Sequence, residues 1–190
     1  RQAIEQLERA GVTAAAWDIT SDVGVPAYSS AIFERGSRPG WRQIGMFSGY
    51  GCHLSPAVAL MRSLSEAVQS RLTMISGSRD DMFYADYRHC TNADDLQKMA
   101  WSVATPPATL AFSARSDLAT ESFDGDLAVL LERVRSVGIR SVAVADLTKP
   151  DIGIPVVKVV VPGLEAMSFA ASYAPGKRAR TRAAQMERGS

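Results

Sequence analysis

Arg62, Glu66 and Gln69 stand four and three residues apart, in a stretch with no Gly or Pro between Ala57 and Leu72. At about 100° per residue they fall within about 60° of one another on a helix, with Ser63 and Ser70 flanking. Such a stripe has two chemistries. It can be a solvent face with an Arg–Glu pair at i, i+4, worth a few tenths of a kcal/mol. It can also line a polar cleft, where the carboxylate holds a metal and the amide and guanidinium hold phosphate. Spacing alone leaves both open.

The other reactive residue types are Cys52-His53 and His89-Cys90. Side chains of adjacent residues diverge, so this tetrad lacks the spacing of a zinc site. Buried or partly buried free thiols are expected instead.

The stripe needs a helix to carry it. Ser55 suits an N-cap and Pro56 the first helical position, where its missing N–H is an orphan anyway. Val58, Leu60, Met61, Leu64, Val68 and Leu72 fill the remaining faces, as in a helix packed on several sides. Gly49-Tyr50-Gly51 reads as a glycine-broken loop leading in, and Arg79-Asp80-Asp81 as the exit loop, whose carboxylates can cap the turn.

At 190 residues, the chain has length for one domain with a sizeable core. Its 46% hydrophobic and 22% charged residues are an ordinary globular balance, and a net charge of +1 argues for neither nucleic acid nor membrane as partner. With no membrane-length apolar run and no signal peptide, a cytoplasmic location is expected.

Residues 1–10 read as a helix stopping at Gly11, followed by a buried strand around Ala14–Ile19, a turn at Ser21–Asp22 and a strand from near Pro26. A short apolar piece, Ile44–Phe47, follows the polar loop 35–43. MFYADYRHC, after Asp81, reads as strand or irregular chain. Asn92 is expected to cap a helix over Ala93–Val103. Residues 104–123 read as a surface loop, and Asp124 as the cap of an amphipathic helix from Asp126 to about Val137. SVAVADL carries the continuous β-branched run of a buried strand, and IPVVKVVVPGLE is the strongest strand signal of the chain. The tail 176–190 is basic and reads as a frayed or disordered helix, with polyanion binding a minor alternative.

An internal echo joins the two halves. A strand ends in Asp-x-Thr (Asp18/Thr20, Asp146/Thr148), and Asp-x-Gly-x-Pro (Asp22/Gly24/Pro26, Asp151/Gly153/Pro155) opens the next. Asp and Thr cap turn amides, and Gly allows positive φ. The expected fold is α+β, with mixed or antiparallel sheets, packed helices and this helix–strand–turn–strand repeat around a cleft.

Gly49-Tyr-Gly-Cys-His53, Arg62-x3-Glu66-x2-Gln69-x-Arg71 and Gly77-Ser-Arg79-Asp80-Asp81 closely resemble the YcaO family. The Asp-x-Thr…Gly-x-Pro strand and Val159-Val-Val-Pro162-Gly163-Leu-Glu165 are similar to it in the same order. The likeness runs over roughly residues 8–166, and RLTMISGSRDD is most similar to the subgroup that works with a TfuA-type partner. It implies that residues 1–175 are the C-terminal part of a YcaO-like domain, with 176–190 a tail.

The resemblance also implies ATP- and Mg²⁺-dependent modification of a peptide backbone amide. A nucleophile adds to the carbonyl, the oxyanion is phosphorylated and phosphate leaves. Sulfide from a sulfur donor would give a thioamide, the outcome associated with TfuA-type partners; a Cys, Ser or Thr side chain would give an azoline. Glu66 would be the Mg²⁺ or Mg²⁺-water ligand and Gln69 would hold the metal–phosphate assembly. Arg62, Arg71 and Arg79 would be phosphate cations, with a helix-end cap or salt bridge an even alternative for Arg71, and His53 would either face the nucleotide or be held in packing. Lys158 stands near a position where family members carry Arg.

A non-catalytic relative that binds a leader peptide is the alternative class, and a homodimer is compatible. No G-x-x-x-x-G-K-[ST] supports a generic nucleotide module. The family's pocket also draws carboxylates from a Ser-x3-Glu-x2-Glu-Arg helix, which Glu5 and Glu8 imitate without its Ser; they are expected to be surface residues. The chain by itself is therefore expected to bind ATP weakly or not at all.

Overall fold

The computed structural model describes residues 2–34, 44–89, 92, 94, 110–165 and 173–189. They fall into two compact units, 1–133 and 134–190. In the first, helix α1 (Gln2–Arg9) leads through Gly11 into strand β1 (Val12–Asp18). Strands β2 (Ala27–Glu34) and β3 (Phe47–Cys52) complete an antiparallel sheet of order β1-β2-β3, with Val12 opposite Glu34 and Tyr28 opposite Gly51. Helix α2 (Pro56–Ser76) packs on this sheet, and Val12, Ile32, Phe47 and Ala67 form the core between them. A short helix α3 (Tyr84–His89) follows. Helix α4 (Phe123–Ser136) runs into the second unit, where β4 (Ala143–Asp146) and β5 (Val157–Val160) pair antiparallel before helix α5 (Lys177–Gly189).

The glycines before α2 do not make a loop. Gly49 and Gly51 lie within β3, on the side that meets the helix. A Cβ at Gly49 would overlap the Ser63 carbonyl oxygen and the Ala67 amide nitrogen; one at Gly51 would overlap the Ala59 carbonyl oxygen and come within 2.6 Å of the Ser63 amide nitrogen. The helix answers with its small residues Ala59, Ser63 and Ala67, one turn apart and all buried. Glycine inside a strand here marks backbone against backbone. Ser63 Oγ donates to the Leu60 carbonyl at 2.8 Å, so in its buried 2.6 Å contact with Ser30 it accepts.

This small-residue contact also limits the packing expected of the large apolar residues of α2: Leu64 is buried and Leu60 half-buried. Val58, Met61, Val68 and Leu72 are exposed, Leu72 by 62%. The helix runs four residues past Leu72, to Ser76. Ser55 occupies the N-cap position, but its hydroxyl donates to Asp117 Oδ2 at 2.7 Å and caps nothing.

The echo is preserved bond for bond. Asp18 Oδ1 accepts the Thr20 amide at 2.8 Å and Asp146 Oδ1 the Thr148 amide at 2.9 Å. Thr20 Oγ1 accepts from Ala27 N, and Thr148 Oγ1 from Val156 N, both at 3.1 Å. Ile19 N bonds Ala27 O and Leu147 N bonds Val156 O, with Gly24 at φ 75° and Gly153 at φ 70°. The second turn is one residue longer, which the cap pattern absorbs.

The copies differ in one charge. Asp18 also pairs with Arg115. Burial pushes the Asp18 carboxyl up, but Arg115 and Thr20 outweigh it and hold the group below the ordinary 3.8. A depressed folded pKa contributes stability that is present above the ordinary value and lost as pH falls through the folded one. The urea midpoint of the protein should therefore fall more steeply between about pH 5 and about pH 3 than that of Asp18→Asn. Parallel pH profiles would contradict the assignment.

Other expectations are revised by packing. β1 is an edge strand with only Val12 buried, so it is not the buried strand that Ala14–Ile19 suggested. β4 is exposed along its whole length, against the burial that its β-branched run implied, and β5 is exposed as well. Residues 84–89 are helical, because Tyr84–His89 has neither Gly nor Pro to break a turn. Ser122, not Asp124, caps α4, accepting the Gly125 amide at 3.1 Å. Residues 110–122 are largely exposed, as a surface loop should be, with a 3-10 turn at Phe112–Ala114. Asn92 Oδ1 accepts the Asp94 amide at 3.0 Å, while the rest of the helix expected over Ala93–Val103 lies outside the described residues. The basic tail forms α5. No helix among the described residues is long and apolar enough to cross a membrane.

Candidate functional site

The polar stripe of α2 faces an open cleft of about 1050 Å³ in the first unit. Arg62, Ser65, Glu66, Gln69 and Thr73 line it from the helix, Ser48 and Tyr50 from β3, and Arg79 from the turn after the helix. Apolar side chains share the lining, in two groups by their place along the chain. Ala57, Val58 and Met61 come from the first turns of α2, and Met74 from its last turn, with Met46 and Met82 from the segments before β3 and after the helix. Met61 and Met74 are about 20 Å apart along the axis at 1.5 Å per residue.

Glu66 is held by the sheet. β3 is an edge strand among the described residues, where the outward Tyr50 amide has no strand to bond, and it donates to Glu66 Oε2 at 2.9 Å. Glu66 Oε1 has no protein partner among the described residues. The close approach that Gly49 and Gly51 allow is what brings the carboxylate within reach of that amide. Gln69, one turn on, and Arg62, one turn back, have side chains with no hydrogen-bond partner among the described residues.

The other expected site residues divide. Arg79 lines the cleft but is bound by Asp81. Arg71 does not line it; its guanidinium pairs with Glu34 of β2, and both side chains are about three-quarters buried. That contact is the salt bridge that its place on the helical wheel, away from the Glu66 stripe, allowed. His53 also lies outside the lining, with Nδ1 accepting the Ser55 amide at 3.0 Å. Lys158 is exposed on β5 in the second unit, and Glu5 and Glu8 are exposed on α1. The Tyr50 amide is the contributor that sequence reasoning missed, because Gly49-Tyr50-Gly51 carries a loop signal.

Cys52 is exposed, against the burial expected of it; partial desolvation of its sulfur still pushes the thiol up, with Arg62 acting against it, which is not the environment of an activated thiolate. Cys90 and the His89 side chain lie outside the described residues. No group of three or more His, Cys, Asp or Glu gathers among the described residues to make a metal cage. One carboxylate beside an amide oxygen is still a fit to Mg²⁺, which is commonly held by one or two carboxylates with water and substrate phosphates supplying the rest. The donors are hard oxygens, and cations stand on either side.

A family model described as YcaO cyclodehydratase, ATP- and Mg²⁺-binding, matches residues 1–165. An uncharacterized protein of Methanothermobacter thermautotrophicus is 35% identical over 167 residues, 87% of this chain and 42% of its own. An uncharacterized protein in the tfuA 3' region of Rhizobium leguminosarum bv. trifolii is 30% identical over 163 residues, 85% of this chain and 39% of its own. This chain thus spans about two fifths of these relatives. Among solved structures, the heterocyclase TruD is similar with a TM-score of 0.68 at 25% identity, over 93% of this chain and 23% of its own. The YcaO protein of Methanopyrus kandleri, solved with AMPPCP and Mg²⁺, shares the fold with a TM-score of 0.63 at 22% identity, over 86% of this chain and 42% of its own.

Proposed function

We propose a function from one premise: this chain belongs to the YcaO family. The activity that its cleft supports best is ATP- and Mg²⁺-dependent activation of a peptide backbone amide, ending in a thioamide made with a TfuA-type partner and a sulfur donor. The observation that carries it is the arrangement of Arg62, Glu66 and Gln69 on one cleft-facing band of α2, with the Glu66 carboxylate tied to the Tyr50 amide.

An amide oxygen leaves poorly, and phosphorylation converts it into a good leaving group. Hydrosulfide adds to the carbonyl carbon and the C=O π pair becomes an oxyanion. The oxyanion takes the terminal phosphoryl group of ATP and ADP departs. The tetrahedral adduct then expels phosphate, which carries off the sulfur's proton, and C=S forms. Phosphoryl transfer depends mainly on positioning and charge neutralisation, which suits a cleft of fixed polar side chains.

Glu66 and Gln69 would hold Mg²⁺, directly or through water. The ion, when bound, neutralises phosphate charge and orients the terminal phosphoryl group. Arg62 and Arg79 would meet phosphate oxygens, and the apolar part of the lining suits a nucleobase. Arg71 serves from outside by pinning the C-terminal half of α2 to β2, and His53 by fixing the chain where it enters the helix.

The tfuA neighbourhood of the Rhizobium relative supports the thioamide outcome. An azoline-forming cyclodehydratase is the second reading, favoured by the likeness to the heterocyclase TruD. Mass spectrometry of candidate peptides incubated with the full-length protein, a TfuA-type partner, ATP and sulfide separates them. Exchange of oxygen for sulfur is the expected result. Loss of water would establish the azoline instead, and an unmodified peptide with no ATP consumed would point to the non-catalytic, leader-binding relative.

A further inference from the structure

The cleft's arginines differ in readiness. Arg62 has no ion-pair partner among the described residues. Arg79 is engaged along one whole edge: Nε donates to Asp81 Oδ1 at 2.6 Å, and Nη2 donates to Asp81 Oδ2. Both side chains are more than half exposed, at 55% and 59%. The pair spans two residues of the turn that follows Gly77, and neither partner is locked by packing.

A carboxylate and a phosphate offer a guanidinium the same pair of acceptor oxygens, so Asp81 occupies the edge that a phosphate would take. Arg79 in turn holds the Asp81 carboxyl below the ordinary carboxylate value. Asp80 adds a second negative charge beside the pair. As it stands, Arg79 lines the cleft already neutralised by Asp81.

We propose that Asp81 is a resident competitor for Arg79, displaced when a phosphate-bearing ligand enters the cleft, and so sets the ligand's affinity and release. The inference rests on the nucleotide reading of the cleft. The exchange replaces one charge-assisted fork with another, so the guanidinium is never left unpaired. An exposed pair of this kind resists displacement by a factor of about two to five.

The test is a titration of Mg²⁺-ATP into the full-length protein as wild type, Asp81→Asn, Arg79→Ala and the double variant, with Asp80→Asn as charge control. Asp81→Asn is expected to tighten binding about two- to fivefold and to slow release in stopped flow. Asp80→Asn should do less, and Asp81→Asn should have no effect once Arg79 is Ala. Unchanged or weaker binding by Asp81→Asn overturns the proposal. So does an equal gain in the Arg79→Ala background, which would make Asp81 a mere repelling charge. A wild type that binds no Mg²⁺-ATP overturns the nucleotide reading and this inference with it, whereas normal wild-type binding with an unaltered Asp81→Asn overturns the exchange alone.

Discussion

Glu66→Gln in the full-length protein is expected to lower the rate of ATP consumption by about 10²- to 10³-fold, the size of effect seen when one preorganised electrostatic group is removed from an active site. The substitution is unusually clean. The Gln carbonyl oxygen can still accept the Tyr50 amide, so the β3 edge group that Glu66 now satisfies at 2.9 Å keeps a partner. The residue is exposed at the cleft and carries no core packing. The thermal midpoint should therefore stay near that of the wild type while the charge that would meet Mg²⁺ is gone. Unchanged turnover would remove Glu66 from the site.

The second large effect is on stability. Gly51→Ala is expected to destabilise the protein by about 3 kcal/mol, at the upper end of the usual range for overpacking. The added carbon meets the backbone of Ala59 and Ser63, which cannot turn aside as a flexible side chain would. Helix and strand must separate, and the Ser30–Ser63 hydrogen bond and the contact between Glu66 and the Tyr50 amide lie on that same seam. Chemical denaturation measures the loss. A change below about 0.5 kcal/mol, the level of an ordinary surface substitution, would contradict the close backbone contact.

Glu66 lies where the sequence was readable and Gly51 where it was not. The Glu66–Gln69 face follows from the helical period alone, and the structure turns that face to a cleft. The Asp-x-Thr…Gly-x-Pro repeat was equally legible, because each cap closes over two to eight residues. Long-range partners were not. Gly49 and Gly51 look like turn residues locally, and their use as clearance appears only once α2 lies on them. Ser55 reads as a cap, yet the partner its hydroxyl takes is 62 residues away, and Arg71 finds Glu34 at a separation of 37. β-branched runs foretold strands at β4 and β5, but hydrophobicity says only that a face suits burial, not what covers it.

The central claim is that Glu66 holds a metal delivered with nucleotide, and the metal dependence of binding tests it most directly. Calorimetric titration of ATP into the full-length protein, with and without Mg²⁺, should show tighter binding with Mg²⁺ for the wild type. The same difference should largely vanish in Glu66→Gln. An undiminished Mg²⁺ dependence in that variant would contradict the account and return the stripe on α2 to an ordinary polar face.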